Sequence, residues 1–342
     1  MLEPIELIEP IEHGGRLNAA AARYGIALSD WLDLSTGINP NSWPVPVLPA
    51  RAWNRLPEPD DELIAAAQAY YRAPHILPVA GSQAAIQVLP TLREHSRVGV
   101  IAPGYNEHAH AWRRSGHDVT PLAHAQIAAA VETFDVVVLI QPNNPTGLTF
   151  TRAQLLQWHA QLAAKNGWLI VDEAFMDTTP ENSIVEYCAR PGLIVLRSLG
   201  KFFGLAGARV GFVCAAPELL QRIDAQLGPW TVCGPARLVA TRALQDTAWQ
   251  ATTRENLLRD AGRLGQLLTE HGLKPSGGTA LFQWIATPQA ARVHAALARQ
   301  GVLTRSFADP ASLRFGLPAN EAQWQRLQSA LVRMPEHIGA VS

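Results

Sequence analysis

Leu193-Ile194-Val195-Leu196-Arg197-Ser198-Leu199-Gly200-Lys201 passes directly from four apolar residues to an arginine, a serine and a lysine. Four apolar side chains in a row leave no face for water, the mark of a strand covered on both sides. Residues 98–102, 134–140 and 168–171 upstream and 210–214 downstream read as strands of the same kind. Helical patterns such as 151–165 and 217–227 lie between them. Buried strands alternating with helices predict an α/β fold on a mostly parallel sheet with helices on both faces.

In open sheets of this kind ligands sit outside the carboxyl ends of the strands, so the polar residues just past each strand matter most. Gln141-Pro142-Asn143-Asn144-Pro145-Thr146-Gly147 follows the strand at 134–140, and Asp172 with Glu173 follows the one at 168–171. Arg197–Lys201 follows the next, and Arg209 stands at the start of the last. An amide, a carboxylate, a lysine and an arginine thus converge on one rim. Pyridoxal phosphate requires such a set: an amine to condense with its aldehyde, a buried carboxylate to keep its ring nitrogen protonated, and fixed donors for its phosphate. Gly81-Ser82-Gln83, between a strand-like run and a helix, supplies backbone N–H donors at a helix start.

Outside this tract the pattern changes. Residues 16–24 read as a short alanine-rich helix ended by Gly25, and 31–59 as an extended, proline-broken arm. A helix over 60–71 is expected to take Asp60 as its N-cap. A long helical tract over 235–270 leads into a smaller α+β region, with strands at 281–285, 302–305 and 313–315 and helices at 288–299 and 320–332. A chain of 342 residues exceeds what one core usually supports. The expected organisation is an arm (1–50) packing with the small domain, a large cofactor-binding domain (51–235), and a connecting helix with the small domain (236–342).

A formal net charge of −1 provides no field for nucleic acid or an anionic membrane, so partners are expected to be small molecules or a second copy of the chain. Cys188, Cys214 and Cys233 form no C-x-x-C pair and suit a reducing compartment. The acidic, proline-broken N-terminus is unlike a targeting peptide, and no apolar run is long enough to span a bilayer. The cytoplasm is the expected location.

Asn144-Pro145-Thr146-Gly147, Asp172-Glu173-Ala174-Phe175 and Ser198-x-x-Lys201 with Arg209 also have the order and spacing of a known group. The chain resembles the aspartate-aminotransferase-like, fold-type-I pyridoxal-phosphate enzymes over nearly its whole length. The resemblance implies a seven-stranded-type sheet in the large domain, a smaller α+β domain and a homodimer. It implies Lys201 as the Schiff-base lysine and catalytic residue, Asp172 as the partner of the pyridine nitrogen, and Asn144 bonded to the ring hydroxyl. Ser82, Ser198, Arg209 and the Gln83 backbone should hold the phosphate, with Tyr105 stacked on the ring. Two positions depart from the pattern. Phe175 stands where many relatives have tyrosine, which should raise the Schiff-base pKa. Leu56 replaces a tyrosine that in relatives reaches the neighbouring subunit's phosphate, so that contact is not expected.

Within the group, finer features are similar to the threonine-phosphate decarboxylases of cobalamin synthesis. These are His13-Gly14-Gly15, Asp33-Leu34-Ser35-Thr36-Gly37-Ile38-Asn39-Pro40, Pro229-Trp230-Thr231-Val232, Ala243-Leu244-Gln245-Asp246, Arg305-Ser306 and Arg314. The likeness implies decarboxylation of L-threonine O-phosphate to aminopropanol O-phosphate. For the bond to the carboxylate to break, that carboxylate must stand out of the cofactor plane, and an anchor on the substrate phosphate can impose this. His13, Gly14, Arg305 and Arg314 are the substrate residues it implies, since arginine forks suit phosphate oxygens. In relatives that transaminate, the arginine at 314 grips the substrate carboxylate. Gly37 departs from relatives that carry a side-chain amide there.

Other readings weigh less. Histidinol-phosphate-type aminotransferases share the cofactor landmarks but usually begin differently and keep the tyrosine. A catalytically silent pyridoxal-phosphate-binding scaffold would not need Lys201, Asp172 and Arg209 intact. His13 read plainly is a flexible-arm residue, and Arg305 and Arg314 are surface residues on exposed strands. His108 and His110 lack acidic partners for a metal and are expected on a solvated helix face; no metal is expected. Gly200-Lys201 is not a nucleotide loop, because Phe202 and Val195 occupy its required positions, and no G-x-G-x-x-G is present.

Overall fold

The computed structural model of the protein describes residues 14–58 and 61–334. Its strands, in chain order, begin with β1 (Leu32–Asp33) in the arm and β2 (Leu77–Val79), β3 (Arg97–Ile101), β4 (Asp118–Leu122), β5 (Val136–Ile140), β6 (Trp168–Asp172), β7 (Leu193–Ser198) and β8 (Gly211–Cys214) in the large region. The small region holds β9 (Gly277–Thr279), β10 (Phe282–Ala286), β11 (Val302–Leu303), β12 (Arg305–Phe307) and β13 (Ser312–Gly316).

Every side chain of β5, β6, β7 and β8 is buried, as their unbroken apolar runs require. These strands form the middle of a seven-stranded sheet in the order β2-β8-β7-β6-β5-β3-β4. The β3, β4, β5, β6 and β7 pairings are parallel, and β8 runs antiparallel to both β7 and β2. Burying one Val, Leu or Ile side chain stabilises the fold by about 1.5–3 kcal/mol as an upper range, so these four strands dominate the core. The edge strand β4 was not anticipated. Its sequence Asp-Val-Thr-Pro-Leu is mostly solvent-facing and carries Pro121, which only an edge tolerates.

The small region is an antiparallel sheet in the order β12-β13-β10-β9. The expected single strand over 302–305 is two strands in two sheets: β11 pairs in parallel with β1, while β12 pairs with β13. The arm is thereby stitched to the small region through Leu32↔Val302 and Asp33↔Leu303. The expected continuous helix over 235–270 is likewise two helices, Gly234–Gln245 and Thr247–Glu270. They break at Asp246, whose Oδ1 caps the second by accepting from Trp249 N–H (3.1 Å) and whose Oδ2 accepts from Trp43 Nε1 (3.0 Å). The helix expected from Asp60 begins at Leu63, with Asp61 Oδ1 accepting from the Leu63 N–H at 3.2 Å. Asp60 itself lies outside the described residues. The helices at Leu17–Tyr24 and Arg152–Ala163 end and begin as expected, on left-handed Gly25 and on a Thr151–Gln154 capping box.

Candidate active site

The carboxyl ends of β5, β6 and β7 open into a chamber of about 100 Å³. All eight residues expected at the cofactor line it: Ser82, Gln83, Tyr105, Asn144, Asp172, Ser198, Lys201 and Arg209. Asp172 ends β6 and is only 3% exposed. Its Oδ1 accepts from the Ala174 N–H (3.1 Å), and its Oδ2 lies 2.9 Å from Nε2 of His108.

His108 corrects an expectation: it is not on a solvated face but 1% exposed, wedged beneath the carboxylate. Residues two apart on a helix face opposite ways, so His108 and His110 separate. The available signal was Ala111 and Trp112, three and four positions on, which mark the buried face. Tyr105 packs edge-on to His108 at 6.2 Å between ring centroids, and its hydroxyl donates to Gln83 Oε1 at 3.2 Å. Burial first, then the charges of Glu107 and Asp172, raise its phenol to about 12, which keeps it a donor. Glu173, next to Asp172, points the other way and is fully buried against Arg197 Nη1 (2.7 Å).

The far end of the chamber depends on two missing side chains. A Cβ on Gly81, whose φ of +71° also favours glycine, would lie 2.6 Å from Arg209 Nη2. One on Gly211 would lie 2.3 Å from the Ser82 nitrogen. The two glycines therefore let the Arg209 guanidinium, the Ser82 backbone and hydroxyl, and Ser198 share one corner. Lys201 stands in the turn after β7, held where its carbonyl accepts from the Asn39 N–H (2.9 Å). Asn39 Nδ2 also donates to the Phe202 carbonyl (2.9 Å), so the arm clamps the lysine turn. Burial first, then the positive charge of Arg314, lowers the Lys201 amine to about 8, with Asp172 opposing.

Lys201, Tyr105, Asn144 and Phe175 also border an outer chamber of about 230 Å³. Gly14, Arg305 and Arg314 line it, as expected of substrate residues, and His13 lies outside the described residues. Arg314 is no surface residue: it is 7% exposed in the middle of β13. Its Nη2 donates to the Ser35 carbonyl (2.7 Å), its Nη1 to Asn144 Oδ1, and its buried Nε meets no protein acceptor. Burial, and then the like charge of Arg305, lower it to about 10. A buried cation beside another cation suits a site that receives an anion. Thr36 and Ile38, from the arm stretch quoted for its kinship, line it too, as do Asn106 and Phe307, which nothing in the sequence singled out. Gly37 has no space for a side chain: its Cβ would meet Phe282 at 2.9 Å and Phe175 at 3.0 Å.

The inner chamber's donor set fits pyridoxal phosphate: a carboxylate backed by histidine, a desolvated amine, and an arginine–serine–backbone corner cleared by two glycines. Residues 30–331 match the model of the family described as aminotransferase class I and II. The chain belongs to that family. It is a pyridoxal-phosphate-dependent enzyme. Among its relatives, the threonine-phosphate decarboxylase of Pseudomonas aeruginosa is 56% identical over 326 residues, covering 95% of this chain and 98% of the relative. The threonine-phosphate decarboxylase of a Sinorhizobium species is 43% identical, with 95% and 98% covered. In fold, the histidinol-phosphate aminotransferase of Sinorhizobium meliloti, solved with pyridoxal-5'-phosphate, superposes with a TM-score of 0.78 at 20% identity, covering 97% of this chain and 98% of that one. The L-threonine-O-3-phosphate decarboxylase of Porphyromonas gingivalis does so at 0.72 and 21%, covering 83% and 91%. Among the described residues no helix is long and apolar enough to cross a membrane.

Proposed function

We propose that the enzyme is a threonine-phosphate decarboxylase, converting L-threonine O-phosphate to aminopropanol O-phosphate and carbon dioxide. The observation that carries this reading is the pair of arginines, Arg314 and Arg305, lining the same outer chamber as Lys201. Two cations beside one amine suit a substrate with two anionic groups, a carboxylate and a phosphate. The 56% identity to a decarboxylase, extending over nearly the full length of both chains, supports it.

When bound, pyridoxal phosphate supplies a sink for the electron pair left at the substrate's α-carbon as carbon dioxide departs. In this reading Asp172, steadied by His108, would hold the protonated ring nitrogen, and Asn144 would bond the ring hydroxyl. Ser82, Ser198, Arg209 and the Gln83 backbone would hold the phosphate, with Tyr105 against the ring. Lys201 would carry the cofactor and return a proton to the α-carbon, a role suited to an amine that titrates near 8. Arg314, Arg305, Gly14 and His13 would receive the substrate's two anionic groups.

The same reading places the product in cobalamin synthesis and the enzyme in the cytoplasm as a homodimer of arm, large domain and small domain. Val47 (97%), Trp53 (70%), Leu56 (65%) and Trp230 (58%) leave large apolar side chains exposed, which supports a covering second copy. The test is to mix the cofactor-loaded protein with L-threonine phosphate, without any keto acid, and follow carbon dioxide. Catalytic release is expected. A single amino-transfer to the cofactor with no carbon dioxide would make the enzyme an aminotransferase instead.

A further inference from the structure

The edge strand β9 of the small sheet meets the loop that carries Asn144, and it does so without side chains. A Cβ on Gly277 would fall far inside van der Waals contact with the Thr146 carbonyl oxygen. One on Gly147 would lie 2.5 Å from both the carbonyl carbon and the nitrogen of Gly278. Backbone rests on backbone here, an approach that only glycine permits. The loop side of this seam is fixed. The Asn143 N–H donates to the Leu148 carbonyl (2.8 Å), and Asn143 Nδ2 donates to the Pro103 carbonyl (2.9 Å) and to Thr146 Oγ1 (2.8 Å). Thr146 Oγ1 also accepts from the Leu148 N–H (3.2 Å). These bonds tie the loop to itself and to the turn after β3, so a side chain added in the seam must displace the sheet.

Gly277 is placed to pass such a displacement on. It pairs with Trp284 of β10, Trp284 pairs with Arg314 of β13, and Arg314 pairs with Arg305 of β12. Residues directly opposite one another in antiparallel strands share a face, so these four stand in one row across the sheet. The Ser276 N–H donates to the Trp284 carbonyl (2.8 Å), which holds the start of β9 to β10. Further along the row, Arg314 donates through Nη1 to Asn144 Oδ1 of the same loop. The row thus touches the loop twice, by bare backbone at its edge and by a guanidinium at its centre.

We propose that Gly277 and Gly147 are positioning residues for substrate recognition: their seam sets the depth at which the small sheet seats Arg314, and with it Arg305, in front of Lys201. The proposal rests on the reading that these arginines receive the substrate's anionic groups. An alanine at 277 would lift the row from the loop and lengthen the Arg314–Asn144 bond. The strand ends that floor the inner chamber would stay as they are. A misplacement of about 1 Å at a positioning group can cost about a hundredfold in rate.

The test compares cofactor-loaded Gly277→Ala with Gly262→Ala, a control on the helix Thr247–Glu270 whose Cβ would meet nothing within 4 Å. The KM and kcat for carbon dioxide release from L-threonine phosphate, the pyridoxal-phosphate affinity and the pH midpoint of the cofactor's visible band are measured. In Gly277→Ala the KM should rise about tenfold or more, with kcat changed less and cofactor affinity unchanged. The charges acting on the Lys201 amine are Arg314, Asp172 and Arg209, and Arg314 lowers it. Withdrawing Arg314 should therefore move the midpoint upward, as should Arg314→Ala. Gly262→Ala should match the wild type in each measurement. An unchanged KM and midpoint in Gly277→Ala would mean that β9 peels away alone, and the proposal is overturned. So does a loss of cofactor affinity as large as the rise in KM overturn it, since the seam would then be a general support of the fold. Gly147→Ala, which enters the seam from the loop side, is read in the same way and decides the matter if Gly277→Ala does not fold. If the wild type leaves L-threonine phosphate unconverted, the proposed reaction fails, and the midpoint alone decides for or against the seam.

Discussion

The chamber behind Lys201 takes its floor and walls from the ends of adjacent strands, whereas the one in front is assembled from parts distant in sequence. Asp172 and Ser198 end neighbouring strands of one sheet. By contrast, the bond that closes the outer chamber joins Arg314 to Ser35, 279 positions away. The inner chamber's floor is thus set by the sheet, with the arm adding only its clamp on the lysine turn, and its chemistry is common to many substrates. The outer one exists only when arm, small sheet and the loop at Asn144 come together, so it is the natural place for substrate choice. Fold supplies the reaction class, and the long-range contacts supply the selectivity.

The largest effect expected from this division is at Arg314. Arg314→Ala removes a buried cation from the outer chamber and should raise the KM for L-threonine phosphate on the order of a hundredfold or more. The cofactor's visible absorption should survive. Loss of both together would erase the distinction between the chambers. Next is His108, which backs the inner one through Asp172. His108→Phe strips Asp172 of a buried partner, a change of about 1–3 kcal/mol, and should weaken pyridoxal-phosphate affinity roughly tenfold or more. The KM should hardly move, and His108→Gln, which keeps a donor, should recover much of the affinity. A substrate-side defect in the Phe variant would sink the assignment.

The smallest expected effect is a pH slope in the cofactor-free protein. Lys201 titrates near 8 in the fold against an ordinary value of 10.5. Burying the ammonium therefore costs stability fully below about pH 8, and that cost is lifted as pH rises between the two values. In that window the unfolded chain binds the extra proton, so unfolding free energy rises with pH, by at most about 1.4 kcal/mol per unit. Urea unfolding from about pH 8 to about pH 9.5 should show this rise in the wild type relative to Lys201→Met. Parallel curves would mean that the amine is solvated and not held ready.

The inner chamber was legible in the sequence because its determinants are local. An apolar run such as 193–196 announces a doubly covered strand, and the functional residue comes within five positions of its end. The outer chamber had no such signal. Arg305, Arg314, Gly14 and the arm residues at 36–38 stood out only through kinship, and Asn106 and Phe307 through nothing at all. The split of 302–305 into β11 and β12 follows from pairing with β1 and β13, partners that no local window contains. His108 was missed because it was weighed with His110 as a pair, although the helix turns them apart.

Gly37 makes the fit of two aromatic rings depend on a side chain that is not there. With Phe282 at 2.9 Å and Phe175 at 3.0 Å from where its Cβ would be, no side chain can be added at 37 while both rings keep their places. A side chain at 37 therefore requires the Phe175 or the Phe282 ring to shift, so a single substitution copied from a relative would act on the packing of both rings as well as on the chamber.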